Sequence, residues 1–245
     1  MDEREFYIFG LPVQTEFGEV RFLTYLEYLQ NLADLSNMSQ NVLHIYYQYR
    51  ELYDKAKLKK DEKEQVEKNL TELKEQKLFD IVMSSEGYKE SYKKIFNLVI
   101  NNDEAVSLIM NHEELFMKFR KLVLDMNMLT ESLVSPNEEI QKGIERSRRA
   151  KMASNKDKQT LGDIVSSIAV GAGISPEHVA RMHVLLVYSI YYRIGKFQNY
   201  NTSTLFATVA EKVEIESWSA HVNMWEQETD SMEKSDFDKK FGGMF

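Results

Sequence analysis

Cysteine is absent from the 245 residues, and only 3 prolines and 10 glycines punctuate them. The first absence excludes a disulfide scaffold, cysteine-ligated zinc, an iron–sulfur cluster and a cysteine nucleophile, and it suits a reducing cytosol. The second favours long helices over many short strands. Long apolar runs are missing too: the longest, Val184 to Tyr192, is too short to span a bilayer. Met1-Asp2-Glu3-Arg4-Glu5 is charged and lacks the apolar core of a signal peptide. With a formal net charge of -8, the surface as a whole repels nucleic acid and anionic membrane unless a local patch reverses it. What is present is a globular composition, 43% hydrophobic and 29% charged, enough for one large domain or two small ones. The expectation is a soluble intracellular protein, mainly α.

The first 23 residues differ from the rest. Phe6-Tyr7-Ile8-Phe9 is followed by Leu11-Pro12-Val13-Gln14-Thr15, then Glu16-Phe17-Gly18 and Glu19-Val20-Arg21-Phe22-Leu23; aromatic and β-branched residues flanking a glycine-containing turn are the pattern of a small β-hairpin. From Tyr25 the period lengthens: Leu26, Leu29, Leu32, Ala33 and Leu35 share a helical stripe. An aromatic-rich helix follows through Leu43, Tyr46, Tyr47, Tyr49, Arg50 and Tyr53. Between Glu51 and Lys77 lie 16 charged residues, eight of each sign. This protruding arm fits either a coiled coil or a helical hairpin restarted by a capping box at Asp61-Glu62-Lys63-Glu64. Two stripes come next, Tyr88-Tyr92-Ile95-Phe96-Val99 and Leu115-Phe116-Phe119-Leu122-Val123-Met126. Ser135-Pro136 opens a basic helix that decays into a linker. Beyond it the pattern predicts a short helix ending at Gly173 and a second one capped by Ser175 and stopped by Gly195. Two short strands, Leu205–Val209 and Val213–Ile215, follow, then a helix from Ser217 to Glu228 with Trp218, Val222 and Trp225 inward. The architecture expected is a multi-helix bundle with a small N-terminal hairpin, a charged helical arm and a minor C-terminal β element. Its parts are 1–141, a basic linker at 142–159, a helical domain at 160–228 and an acidic tail at 229–245.

No constellation of catalytic residues stands out. His178 and His183 are five apart and do not share a helix face, and His112-Glu113-Glu114 lacks the second histidine of a zinc-protease helix. Gly171-Ala172-Gly173 follows no strand and reads as a helix C-cap, not a phosphate loop. Carboxylates abound on charged helical faces, where solvation accounts for them. No catalytic, metal or cofactor residue is assigned, and the chain reads as a non-enzyme. Ala169, Gly173 and Val179 stand at helix-turn-helix spacing, but the exposed start of the second helix holds Ser175, Pro176, Glu177 and Arg181. From Gln159 to Tyr200 there are three Lys/Arg against two acids, too few to draw phosphates. The basic stretch Lys142–Lys158, seven Lys/Arg against two acids, matches electrostatically the nine acids against four lysines of residues 211–240.

Three runs resemble small tail-module proteins of phages infecting Gram-positive bacteria: Gly173-Ile174-Ser175-Pro176-Glu177, Tyr188-Ser189-Ile190-Tyr191-Tyr192-Arg193-Ile194 and Tyr200-Asn201-Thr202-Ser203-Thr204-Leu205-Phe206. Ile215-Glu216-Ser217-Trp218-Ser219-Ala220-His221-Val222 and the opening Gly10-Leu11-Pro12-Val13-Gln14-Thr15-Glu16-Phe17-Gly18 extend the likeness. It covers the last third and the first 25 residues. The family is that of tail assembly chaperones. The resemblance implies partners, the tape measure protein and the tail tube protein, and work in the host cell cytoplasm. The 13 Tyr, 13 Phe and 12 Met suit grooves that cover amphipathic helices. Phe237, Phe241 and Phe245 of the tail, with Trp225, are the candidate partner-binding residues. Two other classes remain open from the sequence: a virion structural protein of the tail or connector, and a helix-turn-helix DNA-binding regulator.

Overall fold

A computed structural model describes residues 3–56, 59–131, 133–154, 160–210 and 213–225. Two compact units divide the chain, one of Met1–Ser132 with Gln159–Met224 and one of Leu133–Lys158 with Trp225–Phe245. The fold is mainly α with one small hairpin, as the scarcity of glycine and proline implied. No helix among the described residues is long and apolar enough to cross a membrane.

In the larger unit, Glu3–Phe9 forms a 3-10 helix, so the aromatic run Phe6–Phe9 lies before the hairpin and outside it. The hairpin is β1 (Val13–Thr15) and β2 (Gly18–Val20), antiparallel with Val13 opposite Val20. Gly18 turns the chain at a φ of 108°, a value that side chains disfavour. The hairpin docks by burying Val20 completely and by donating the Arg21 N–H to the Val99 carbonyl at 3.0 Å. Two short helices, α1 (Tyr25–Gln30) and α2 (Leu32–Met38), replace the single stripe expected there, because the chain kinks at Asn31. The kink turns Tyr25, Leu35 and Met38 inward and leaves Leu26 and Leu32 exposed.

The charged arm is a helical hairpin folded back on itself. Helix α3 (Val42–Lys55) and helix α4 (Lys60–Glu75) pack together through Leu70, an Arg50–Glu67 ion pair at 2.8 Å and Lys74 over the Tyr46 ring at 3.9 Å. Helix α4 restarts where the Glu62 carboxylate accepts the Lys59 backbone N–H at 2.7 Å. Four amphipathic helices then build an aromatic core: α5 (Leu78–Ser84), α6 (Glu86–Ile100), α7 (Asp103–Asn111) and α8 (Glu113–Met126). Tyr92 and Phe116 meet at 4.9 Å, and Phe96 lies edge-on to Phe119 at 4.7 Å. Asn101, in the left-handed region, ends α6, and the Asn102 side chain accepts two N–H groups to start α7.

The same unit contains α10 (Leu161–Ala172), α11 (Pro176–Arg181) and α12 (Val184–Ala207). They form a second core of Ile164, Ile168, Val179, Val184 and Val187 around Tyr25 of α1. Several expectations fail here. The helix capped by Ser175 stops at Arg181, because His183 caps a new one with its ring nitrogen accepting the Leu186 N–H at 3.4 Å. Gly195 does not stop α12, whose backbone bonds continue through it; a glycine weakens a helix without breaking it. Leu205–Ala207 accordingly end a helix, Val213–Glu216 pair with no strand, and Ser217–Ala220 is a turn. In the smaller unit the described element is α9 (Glu138–Ser154). It starts later than Ser135-Pro136 implied, since the Asn137 side chain takes the cap by accepting the Glu139 N–H at 2.9 Å.

Candidate partner-docking surface

Helix α12 is 24 residues, about 36 Å at 1.5 Å per residue. Its first turns are core: Val184, Leu185 and Val187 are buried. Its second half is not. Phe197 is 45% exposed, Leu205 69%, Phe206 58% and Val209, just past the helix end, 83%. Large apolar side chains scattered singly on a surface are ordinary, but Leu205, Phe206 and Val209 cluster at the end of this helix, with Phe197 two turns back beside Trp218.

Where the buried half gives way to the exposed half there is a cavity of about 490 Å³ between α12, Ile8 and Trp218. Ile190, Ile194 and Phe197 form its floor at i, i+4 and i+7, the spacing of one helix face. Arg193 fixes the opposite wall. Its guanidinium donates to the Trp218 carbonyl at 2.8 Å and to the Ala220 carbonyl at 2.7 Å, pinning the turn across the helix. Trp218 then stands edge-on to the Phe197 ring at 5.7 Å. With its donors directed at backbone carbonyls, Arg193 acts as a brace here, and the cavity presents mainly hydrocarbon and aromatic surface.

Ile8 is held in place by His183. The imidazole donates from Nε2 to the Ile8 carbonyl at 3.2 Å while Nδ1 accepts the Leu186 N–H, so the hydrogen-bond pattern assigns a neutral ring. Burial pushes the His183 pKa below its ordinary value, against the opposing effect of the Ile8 carbonyl. Phe22 lies against the ring at 5.0 Å, and Gly10 comes so close that a Cβ there would sit 2.7 Å from the His183 Cδ2. Thr24 pairs with His183 backbone to backbone, and the Tyr25 N–H donates to the Met182 carbonyl at 2.6 Å. The N-terminal segment is thereby tied to the start of α12.

Of the residues singled out in the sequence, Trp225 is half-buried at the end of the described chain. Phe237, Phe241 and Phe245 lie outside the described residues, as does the acidic tail at 229–245. Trp218, expected inward on a helix, instead sits on a turn and is 43% exposed. The exposed Leu205 and Phe206 were hidden by their reading as a strand. The stripe Ile190, Ile194, Phe197 was the available signal, obscured by treating Gly195 as a stop. The predicted helix-turn-helix is present as α10, Gly173 and α11, but α11 has only six residues and buries Val179 in the core. Among the described residues no group of three His, Asp or Glu could hold a metal ion.

Residues 1–136 match the family pattern of the YomV N-terminal domain, and residues 153–223 match that of the YomV second domain. The chain belongs to the YomV family. It is 32% identical over 244 residues, 98% of each chain, to the SPbeta prophage-derived uncharacterized protein YomV of Bacillus subtilis (strain 168). No solved structure matches it. The likeness to phage proteins therefore holds at the level of a phage-derived family. Both YomV domain matches contribute to the cavity, Ile8 from the first and Ile190 to Trp218 from the second.

Proposed function

We propose that this chain is a non-enzymatic phage protein that works in the host cytoplasm as a tail assembly chaperone, covering an apolar helical stripe of the tape measure protein or of a tail tube subunit. The observation that carries this reading is the exposed apolar cluster Leu205, Phe206 and Val209 at the end of α12, together with the braced cavity on the same helix. Each large apolar side chain buried there contributes about 1.5–3 kcal/mol before the cost of association is subtracted. A few anchors of this kind give a reversible complex, which suits a factor that must release its client when the tail polymerises. Tape measure proteins are long amphipathic helices, and an uncovered apolar stripe on one aggregates in water. A partner helix laid against the end of α12 can place anchors at i, i+3, i+4 and i+7 against Leu205, Phe206 and Val209. The prophage-derived relative supports a phage setting for this role.

Co-expression of this chain with the tape measure protein of its own phage tests the reading. The expected result is a soluble complex that forms only when both are made and that is lost with Leu205→Ser/Phe206→Ser. An insoluble tape measure protein with nothing associated overturns it. Stoichiometric recovery of the chain from purified particles transfers the assignment to a structural component of the virion.

A further inference from the structure

Away from α12, helices α5, α6 and α7 meet at the surface around a second cleft, of about 440 Å³. Each helix contributes two residues one turn apart, and residues four apart share a helix face. Phe79 and Met83 come from α5, Lys89 and Lys93 from α6, and Ser107 and Asn111 from α7, with the buried Met110 beneath. One wall is apolar, one cationic and one neutral but able to hydrogen-bond. No carboxylate lines the cleft among the described residues. Within the same limit neither lysine has an ion-pair partner, although their neighbour Lys94 pairs with Asp34 at 2.7 Å and Lys77 with Glu113 at 2.8 Å. In a chain with 39 acidic against 31 basic residues, two adjacent ammonium groups beside an apolar floor reverse the character of the average surface.

We propose that this cleft docks an acidic peptide segment of a partner protein, one large apolar side chain entering against Phe79, Met83 and Met110 and its flanking carboxylates meeting Lys89 and Lys93. The volume lies toward the small end of ligand sites and suits a single aromatic or leucine side chain with its backbone. In an extended segment successive side chains point to opposite sides. When one enters the cleft, its two neighbours turn toward the rim, within reach of the flexible lysine stems. Ser107 and Asn111 offer both donors and acceptors, the complement that a peptide backbone requires. The site is separate from the α12 face and does not depend on the function proposed for it.

Fluorescence anisotropy with the full chain and a labelled, end-blocked Gly-Asp-Phe-Asp-Gly peptide tests this. Saturable binding is expected, weakened by added salt and roughly tenfold or more weaker for Lys89→Glu/Lys93→Glu. Replacing both aspartates of the peptide with asparagine should weaken it similarly, and replacing its phenylalanine with serine should abolish it. Leu205→Ser/Phe206→Ser should bind the peptide as the unaltered chain does, which separates this cleft from α12. Since both lysines lie at the surface, circular dichroism of the charge-reversed chain should match the original. Absence of saturable binding, or equal binding by the charge-reversed chain, overturns the proposal.

Discussion

Arg120 is 3% exposed, yet it carries a full charge into the aromatic core. It is tolerated there because its donors are directed at fixed acceptors: the Met38 carbonyl at 3.1 Å, the Tyr92 hydroxyl at 3.0 Å, the Gln40 carbonyl at 3.0 Å and the Glu131 carboxylate. Those carbonyls belong to the end of α2 and the residues just after it, so one guanidinium ties α8 to the N-terminal helices. Arg120→Met should lower stability in urea unfolding by about 3–5 kcal/mol, because the acceptors lose a buried charged partner. Arg120→Lys should not restore it, since an ammonium group cannot reproduce the planar fork. His183 is the residue at which pH acts on the N-terminal tie. Its folded pKa lies below the ordinary value, so the unfolded chain takes up a proton first as pH falls through about 6.5. Stability should decline from there down to the lowered folded pKa, and His183→Gln should flatten that part of the profile in thermal melts. Glu27 acts lower on the scale. The Arg21 guanidinium, helped by Thr24, brings its carboxyl down to about 2, so the stability it adds is present above the ordinary carboxylate range and is lost as pH falls toward 2.

Two glycines separate what the sequence revealed about the helices from what it hid. Gly171 and Gly195 read alike, as small residues near expected helix ends. Gly171 is required by packing: a Cβ there would lie 2.7 Å from the Ile194 Cγ2, so α10 and α12 approach closely only because it is bare. Gly195 faces open space within a continuous helix. Gly171→Ala should therefore destabilise the fold, and Gly195→Ala should stabilise it by about 0.5–1 kcal/mol, both read by chemical denaturation. Helices α6 and α8 were legible because their stripes, Tyr92-Ile95-Phe96-Val99 and Phe116-Phe119-Val123, face one core with strict periodicity. The hairpin was legible through Gly18. The break at His183 was not, because the ring that caps α12 is held in its capping orientation by long-range ties to Ile8 and Thr24 that local periodicity does not contain. For the same reason the candidate surface was missed: Arg193 looks like one more surface cation until the turn it braces is seen.

Over the whole molecule, the parts of the two family matches at 1–132 and 159–223 join in one compact unit through Tyr25, Thr24 and Ile8. In a chain with 39 acidic against 31 basic residues, the long helix α12 carries an otherwise polar second half that ends in the exposed Leu205 and Phe206. The partition suits a binding protein that must remain dispersed alone and still offer hydrocarbon to a client. Hydrogen exchange of the chain alone and in complex with the tape measure protein reads where that client sits. Residues 197–209 should exchange quickly in the free chain and slow markedly in the complex, with α3 and α4 unchanged. A complex that protects other helices and leaves 197–209 exchanging as before would contradict the assignment of α12 as the docking face.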